Sequence, residues 1–181
     1  MSKLRVYRDD APDTPIVEHT LGADIALELE GPEILFSRWE ADRALPADAS
    51  NDDIIGAYRA QVDVLMTRYG FHAVDVINVT PTHPDKDALR QKFLNEHTHS
   101  DYEVRFFVEG SGQFYIHHAD RVYMILCEAG DLLSIPANMT HWFDMGPNPR
   151  FKCIRLFTTP EGWVANFTGS DIAERFPRLV N

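Results

Sequence analysis

The amino-acid sequence predicts a mainly β fold with a few helices, an α+β architecture in which short strands form a barrel or sandwich. Three observations predict it. Short β-rich runs separated by turn residues occupy 103–158, a strongly periodic helical segment precedes them, and no repeat or Gly/Ser linker divides the 181 residues. Hydrophobic residues make up 44% and charged residues 25%, which is typical of a globular protein and excludes disorder, collagen and coiled coil.

Outside the β-rich region, short elements of both kinds are predicted. Strands are expected at Leu4–Arg8 and Ile34–Trp39, and a third at Val74–Val79, after which two prolines prevent its continuation. Short helices are expected at Asp85–Phe93 and in the tail at Asp171–Arg175.

One longer helix is predicted between Ser50 and Gly70. Ser50 or Asn51 can cap its first turn, and Gly70 can end it. Apolar side chains recur at three- and four-residue spacing between them, which is typical of a helix packed on a core. They are Ile54, Ile55, Tyr58, Val62, Leu65, Met66 and Tyr69.

The β-rich region contains five predicted strands, at 103–109, 112–118, 121–128, 131–135 and 150–158. The turns between them are expected at Gly110-Ser111-Gly112, Ala119-Asp120 and Ala129-Gly130-Asp131, because Gly, Asp and Ser tolerate turn conformations. Several short strands at this spacing favour a barrel or sandwich.

Charge and cysteine content exclude several classes of function. The net charge of −11 disfavours nucleic acid and anionic membranes as partners, since both require a basic surface. No apolar stretch is long enough to span a bilayer, and the first residues lack a secretory signal pattern. Cys127 and Cys153 are expected to be buried, reduced thiols. We therefore expect a cytoplasmic protein.

A metal site is indicated by His97, His99 and Glu103. On a strand the two histidines point the same way, and two imidazoles with a carboxylate are typical ligands of a transition metal. In a straight strand His97 and Glu103 would lie about 20 Å apart, so the chain must bend between His99 and Glu103. Ser100-Asp101 can form that bend. A turn after Pro136 offers His141 as a fourth ligand, although spacing alone does not place it beside the others.

These residues resemble the two sequence motifs of the cupin family. Cupins are small double-stranded β-helix (jelly-roll) barrels that hold one metal ion inside. The matching runs are His97-x-His99-x3-Glu103-x6-Gly110 and Gly130-x5-Pro136-x4-His141. The chain departs from the pattern at Asn138, where glycine is usual, and at Met145, where asparagine is usual. The resemblance implies that all four polar residues bind the metal.

The extended context resembles one cupin family, the acireductone dioxygenases of methionine salvage and methionine biosynthesis. It is carried by residues 96–110 (EHTHSDYEVRFFVEG) and 130–145 (GDLLSIPANMTHWFDM). The resemblance implies a single domain over 1–181, in which 1–95 pack on the barrel, 96–158 form its motif-bearing core and 159–181 form a tail. We expect a monomer.

The implied function is cleavage of acireductone (1,2-dihydroxy-3-keto-5-methylthiopentene) by O2, with one Fe²⁺ or Ni²⁺ per chain. In this family the iron form gives formate and 4-methylthio-2-oxobutanoate. The nickel form gives 3-methylthiopropionate, formate and carbon monoxide. Three histidines and one glutamate suit several transition metals, so the sequence does not select between iron and nickel.

Further residues are assigned by strand alternation and by the resemblance. Arg105 lies two residues from a ligand and therefore on the same face of its strand. The enediol of the substrate can lose two protons to form a dianion, and we expect the positive charge of Arg105 to stabilise it. The other expected substrate contacts are Arg155, Phe107, Phe143 and Trp142. The resemblance implies supporting roles beside the metal for Glu96 and Tyr102.

Two alternative functions remain open. The first is another cupin metalloenzyme, such as a different dioxygenase or an isomerase. The second is a non-catalytic cupin that binds a metal or a small ligand. An arginine on the ligand face, Arg105, favours an enzyme, because a metal store does not require it.

Overall fold

The computed structural model describes residues 1–46, 48–159 and 161–180. Within them, eleven strands join one hydrogen-bonded network and five helices pack around it. The strands are β1 (Lys3–Arg8), β2 (Val17–His19), β3 (Leu35–Arg38), β4 (Ala73–Val79), β5 (His97–Thr98), β6 (Glu103–His118), β7 (Arg121–Glu128), β8 (Asp131–Ile135), β9 (Thr140–Asp144), β10 (Phe151–Phe157) and β11 (Asn166–Phe167). The helices are α1 (Gly22–Glu30), α2 (Asn51–Ala57), α3 (Arg59–Tyr69), α4 (Lys86–Phe93) and α5 (Ile172–Arg175). The prediction of a mainly β fold is confirmed.

The longest strand, β6, links two groups of antiparallel strands. Its residues 103–110 pair with β8 and β10, whose outer neighbours are β3 and β4. Its residues 111–118 pair with β7 and β9, whose neighbours include β1 and β5. Inward side chains from both groups form one apolar cluster, which includes Phe107, Phe114, Ile125 and Leu133. The interior of this barrel is therefore shared by both strand groups.

The turn expected at residues 110–112 is wrong, because β6 runs through it without reversing. Gly110 has a φ of +72°, and a Cβ there would clash with the Arg150 carbonyl. The glycine thus permits a close approach between strands and a change of pairing partners, rather than a hairpin. The turns before β7 and β8 are where the sequence predicts them.

The helix expected between Ser50 and Gly70 is two helices. Ser50 forms a capping box with Asp53 at the start of α2, as expected for a helix N-terminus. The backbone leaves helical geometry at Tyr58, with φ −113° and ψ 20°, and α3 then ends at Gly70 in the left-handed conformation. Tyr58 is fully buried at this break, and its ring contacts Phe106 edge-on with centroids 5.2 Å apart.

Several elements lie where the sequence gives no expectation. Helix α1 and the short strands β2, β9 and β11 are additions, and β5 includes His97 but not His99, which were considered together on one strand. In contrast, α4, α5, β1, β3 and β4 match predictions to within one or two residues. Cys127 and Cys153 are buried free thiols, as expected.

No helix among the described residues is long and apolar enough to cross a membrane.

Candidate metal centre and active-site cavity

Three histidines, one on β5, one just after it and one on the adjoining β9, converge inside the barrel. His97 on β5 pairs directly with His141 on β9, which therefore lies on a strand and not on the expected turn. The chain leaves β5 after Thr98 and enters β6 at Glu103, so the predicted bend is present. One ring nitrogen from each of His97, His99 and His141 lies within 4.8 Å of the other two. The structure thus brings the three histidines together at one centre.

Backbone carbonyls fix the tautomer of all three imidazoles. Because a carbonyl oxygen only accepts, each Nδ1 must carry the proton, which leaves Nε2 with a free lone pair directed at the shared centre. The donor–acceptor pairs are His97 to Asn95 at 2.6 Å, His99 to Val164 at 2.9 Å and His141 to Met139 at 2.9 Å. These three hydrogen bonds orient the rings as metal ligands require.

Burial keeps two of these rings neutral. It lowers the pKa of His97, and it lowers the pKa of His141 to about 4, because the charged imidazolium is poorly solvated there. A neutral imidazole offers its lone pair to a metal at pH 7, whereas an imidazolium does not.

Glu103 supplies the carboxylate at the same centre. Burial is the largest influence and raises the pKa of Glu103, but the charge of Arg105 together with the contacts of His99 and His141 outweighs burial and holds this pKa well below its usual range. The carboxylate is therefore ionised, although its side chain is only 6% exposed.

The contacts of Glu103 test whether the site suits a cation. Its Oε2 lies 3.0 Å from Nε2 of His99 and 4.0 Å from Nε2 of His141. Because the Nδ1 atoms of both histidines donate to carbonyls, their Nε2 atoms carry no proton. These contacts therefore bring lone pairs of Nε2 and of the carboxylate oxygen together. Oε2 of Glu103 and Nε2 of His141 are buried and have no hydrogen-bond partner among the described residues. Such an arrangement is costly unless a cation lies between the acceptors, so the donor set fits a transition metal.

A cavity extends from this centre into the barrel. Its polar end holds the four residues above together with Arg105, and its walls include Phe107, Phe143, Phe151 and Cys153. Nη2 of Arg105 lies 2.5 Å from Oε1 of Glu103, and Nη1 donates to the Val104 carbonyl at 3.2 Å. The cavity thus combines a cationic group, a candidate metal centre and an apolar wall.

Comparison with known proteins identifies the family. The model of the ARD/ARD' family matches residues 3–165. The chain belongs to this family. It is 57% identical to an acireductone dioxygenase of Aquifex aeolicus over 178 residues, covering 98% of this chain and 96% of the relative. It is also 57% identical to an acireductone dioxygenase of Methylococcus capsulatus over 179 residues, covering 99% of this chain and 96% of that relative.

A solved structure of the same family supports the fold. It is described as acireductone dioxygenase from Bacillus anthracis with a cadmium ion in its active centre. The two chains share 28% identity with a TM-score of 0.81, over 92% of this chain and 98% of the other. The prediction of a cupin barrel is thereby confirmed.

Within this ARD/ARD' chain, the expected substrate residues separate into two groups. Arg105, Phe107, Phe143 and Arg155 all line the cavity. Trp142 does not lie among the lining residues: it stacks on Tyr115 with ring centroids 5.0 Å apart, in a separate cluster with α5. Strand alternation explains the difference, because the neighbours of Trp142 on β9 face inward and Trp142 therefore faces the opposite side.

Arg155 is held by a carboxylate at the wall. Its Nε and Nη2 donate to Asp75 at 2.7 and 2.5 Å, and it lies opposite Arg105 in the pairing of β10 with β6. The Asp75 carboxylate balances the second guanidinium, which lets two arginines occupy neighbouring strand positions.

The two residues expected to support the metal differ in environment. Glu96 is buried and accepts hydrogen bonds from His117 at 2.9 Å and from Thr168 at 2.6 Å. The ring of Tyr102 is 45% exposed and contacts Phe71 edge-on. Glu96 thus fixes the chain next to His97, while Tyr102 lies on the outside of the bend.

Several cavity residues have no counterpart in the sequence expectations. Ile77, Phe114, Phe151 and Cys153 lie on strands, where alternation from a known inward residue identifies them once pairing is known. The remaining ones, from α4 and the segment after β10, carry no local signal that places them there. They are Lys92, Phe93, Trp163 and Ala165.

Proposed function

We propose that this chain is a metal-dependent dioxygenase that cleaves acireductone with O2 in methionine salvage. The observation that carries the proposal is the convergence of three oriented imidazoles and an ionised carboxylate beside a buried guanidinium, in a cavity whose walls also include aromatic rings. The names of the relatives in the ARD/ARD' family support the same substrate.

His97, His99, His141 and Glu103 are proposed to hold one Fe²⁺ or Ni²⁺. Such an ion would supply Lewis acidity toward the oxygens of the enediol. The backbone acceptors of the three Nδ1 protons keep the ligand set oriented before substrate arrives. The negative charge of Glu103 favours a divalent cation over a neutral ligand at this centre.

Arg105 is proposed to stabilise the dianion of the substrate. Its guanidinium carries five N–H donors, of which two contact Glu103 and the Val104 carbonyl. Burial lowers the pKa of Arg105, while the Glu103 carboxylate favours its charged form. A fixed cation in a water-poor cavity stabilises developing negative charge far more than an exposed one does. Arg155 adds a second cation at the wall, restrained by Asp75.

Phe107 and Phe143 are proposed to contact the methylthio tail. Both are buried and line the cavity beyond the polar end. An apolar tail placed against these rings leaves the enediol oxygens pointing back at Arg105 and the ligand set. This orientation follows from polarity, since an apolar tail favours the aromatic rings and the enediol oxygens favour the charged side chains.

The test is turnover by metal-defined protein. Anaerobic acireductone is mixed with chain reconstituted with Fe²⁺ or Ni²⁺, and loss of its ultraviolet absorbance is followed after O2 is admitted. We expect fast, metal-dependent loss, with 4-methylthio-2-oxobutanoate from the iron form and carbon monoxide from the nickel form. No acceleration over spontaneous oxidation, in protein shown to hold the metal, would overturn the proposal and favour a different cupin activity.

The oligomeric state and location are also proposals. The net charge of −11 opposes self-association at low ionic strength, and we infer a cytoplasmic monomer that meets its substrates, acireductone and O2, by diffusion. Light scattering on the metal-loaded protein tests the first statement, because a dimer would double the measured mass.

A further inference from the structure

A segment that follows the barrel covers the metal-binding bend. This covering segment comprises Thr158, Thr159 and residues 161–168, and it runs antiparallel to residues 96–101. Strand β11 at one end pairs with β5, and the Thr168 N–H donates to the Glu96 carbonyl at 3.1 Å. Its other end, near Thr158, lies beyond this ladder and is held by side-chain contacts.

Asp101 makes those contacts. Its side chain is buried at 6% exposure, and its Oδ2 accepts from the Thr158 N–H at 2.5 Å and from the Thr159 N–H at 3.4 Å. Oδ1 accepts from the Tyr102 N–H at 2.7 Å. One carboxylate therefore joins the bend between two candidate metal ligands to the start of the covering segment.

Gly162 is a second observation at the same junction. A Cβ at this position would lie 2.6 Å from Oδ2 of Asp101 and 3.1 Å from both Cβ of Asp101 and Cδ1 of Phe157. Real side chains do not approach so closely, so the covering segment reaches the carboxylate only because residue 162 is glycine. Asp101 and Gly162 thus form a matched contact from opposite sides.

The covering segment contributes directly to the active site just after Gly162. The Val164 carbonyl accepts the Nδ1–H of His99, and Trp163 and Ala165 line the cavity. A shift of the chain at Gly162 would therefore displace the cavity wall and the acceptor that orients one imidazole.

We propose that Asp101 is a positioning residue of this enzyme: its carboxylate seats the covering segment so that Trp163 completes the substrate cavity and Val164 orients His99. The kinetic part of its test rests on the proposed function, because it measures turnover of acireductone. Asp101 acts through the backbone and contacts no substrate, so its loss weakens binding of substrate in ground state and transition state alike.

The principal variants are Asp101→Asn and Gly162→Ala. The Tyr102 and Thr158 N–H groups donate to different oxygens of Asp101, and asparagine replaces one of these oxygens by an NH2 group that cannot accept. Gly162→Ala leaves the carboxylate intact, but the added Cβ would push the covering segment away from it. For each we expect KM for acireductone to rise about tenfold, the effect of losing one charge-assisted hydrogen bond. At full metal occupancy we expect kcat to stay within about threefold, because Arg105, Glu103 and the other two histidines are unchanged, while displacement of the Val164 carbonyl weakens metal binding through His99.

Hydrogen exchange supplies a readout independent of turnover. Amides of 158–159 and 161–168 should exchange faster in both variants, while amides of β7 should not change. The double variant should raise KM no more than the single changes do, since both disrupt one contact. Asp53→Asn is the matched control, because it removes a carboxylate that accepts a backbone N–H at the start of α2. It should leave KM and the exchange of the covering segment unchanged.

The outcomes separate the two proposals. If wild-type protein does not turn over acireductone, the proposed function fails, and faster exchange in both variants still supports the Asp101 contact. If wild-type protein is active and both variants keep its KM, the positioning role is overturned. A fall in kcat at full metal occupancy with KM unchanged also overturns it, because that pattern indicates damage to the reacting groups and not to the covering segment. Should Asp101→Asn fail to fold, Gly162→Ala decides alone.

Discussion

Nη2 of Arg105 lies 2.5 Å from Oε1 of Glu103, while Oε2 of the same carboxylate faces the imidazoles. The two charged side chains lie two residues apart on β6 and point the same way into the barrel. One carboxylate is therefore shared between a guanidinium and the candidate metal centre. The guanidinium of Arg105 thus lies directly beside the candidate ligands, where it can contact substrate. Because Glu103 carries the opposite charge, the pair has no net charge.

Arg105→Ala is expected to retain bound metal and lose turnover by roughly 100-fold, the effect of removing one donor that stabilises developing charge in a buried site. The reason is that the three histidines and Glu103 remain, while the cation for the dianion is gone. Metal content per chain and kcat on the same preparation check this. Arg155→Ala is the comparison, since its guanidinium is already paired with Asp75. Full activity of the Arg105 variant would contradict the dianion role.

Single replacements of His97, His99 or His141 by alanine should each abolish stable metal binding and turnover. Each removes one of three nitrogen donors that lie within 4.8 Å of one another. Metal analysis after gel filtration measures the loss. His118→Ala serves as the control, because this histidine is exposed at the end of β6 and should leave metal content and kcat unchanged. Wild-type metal content in any of the three variants would exclude that residue as a ligand.

Metal removal should lower thermal stability. A ligand that binds only the folded chain stabilises it, by about 4 kcal/mol at a thousandfold excess over its dissociation constant. We expect the Tm to fall on chelation and to recover when Ni²⁺ is restored. The His141→Ala variant should show neither change, and an equal shift in that variant would mean that the metal stabilises the chain elsewhere.

Gly112→Ala should raise KM for acireductone, about tenfold as for a one-carbon change in a substrate pocket. A Cβ at Gly112 would overlap the ring of Phe143, so this ring must move, and it lines the cavity. Steady-state kinetics on metal-loaded protein measure the change. Gly56→Ala is the control, because a Cβ there meets no atom within 4 Å. It should leave KM unaltered, and an equal rise in both variants would argue against a steric effect on Phe143.

Asp144→Asn should destabilise the fold by about 3 kcal/mol, as expected when a buried ion pair loses one partner. Asp144 is fully buried, and it accepts from Arg90 of α4 at 2.8 Å and from the Leu179 N–H at 2.9 Å. Urea unfolding measures the loss. Asp10→Asn removes an exposed partner of Arg8 and should change stability little. Equal losses of unfolding free energy in the two variants would show that the buried contacts of Asp144 stabilise the fold no more than an exposed ion pair does.

Much of the site could be predicted because its residues are close in sequence or alternate on one strand. His97, His99, Glu103 and Arg105 lie within nine positions, so a strand, a bend and a second strand suffice to place them. Phe107 follows by the same alternation. Trp142 shows where this reasoning fails: its neighbours His141 and Phe143 face the cavity, so Trp142 cannot.

Glycines and short strands account for most differences in the fold. Gly110 looks like a turn residue, yet its positive φ serves a change of partner within β6. Tyr58 fits the helical periodicity, yet its backbone leaves helical geometry between α2 and α3. Strands of two or three residues, such as β5 and β11, are formed by pairing rather than by local preference.

The sequence by itself determined the ligand types, their spacing, the cationic residue beside them and the β-rich framework, because these depend on residue chemistry and on the periodicity of single elements. Only the tertiary structure decided that His141 faces His97 across paired strands, and that Asp144 anchors α4. It also decided that Asp101 and Gly162 hold the covering segment against the bend. Those relationships join residues up to 61 positions apart (Asp101 and Gly162), and they depend on which strands and segments pack together, which local pattern does not encode.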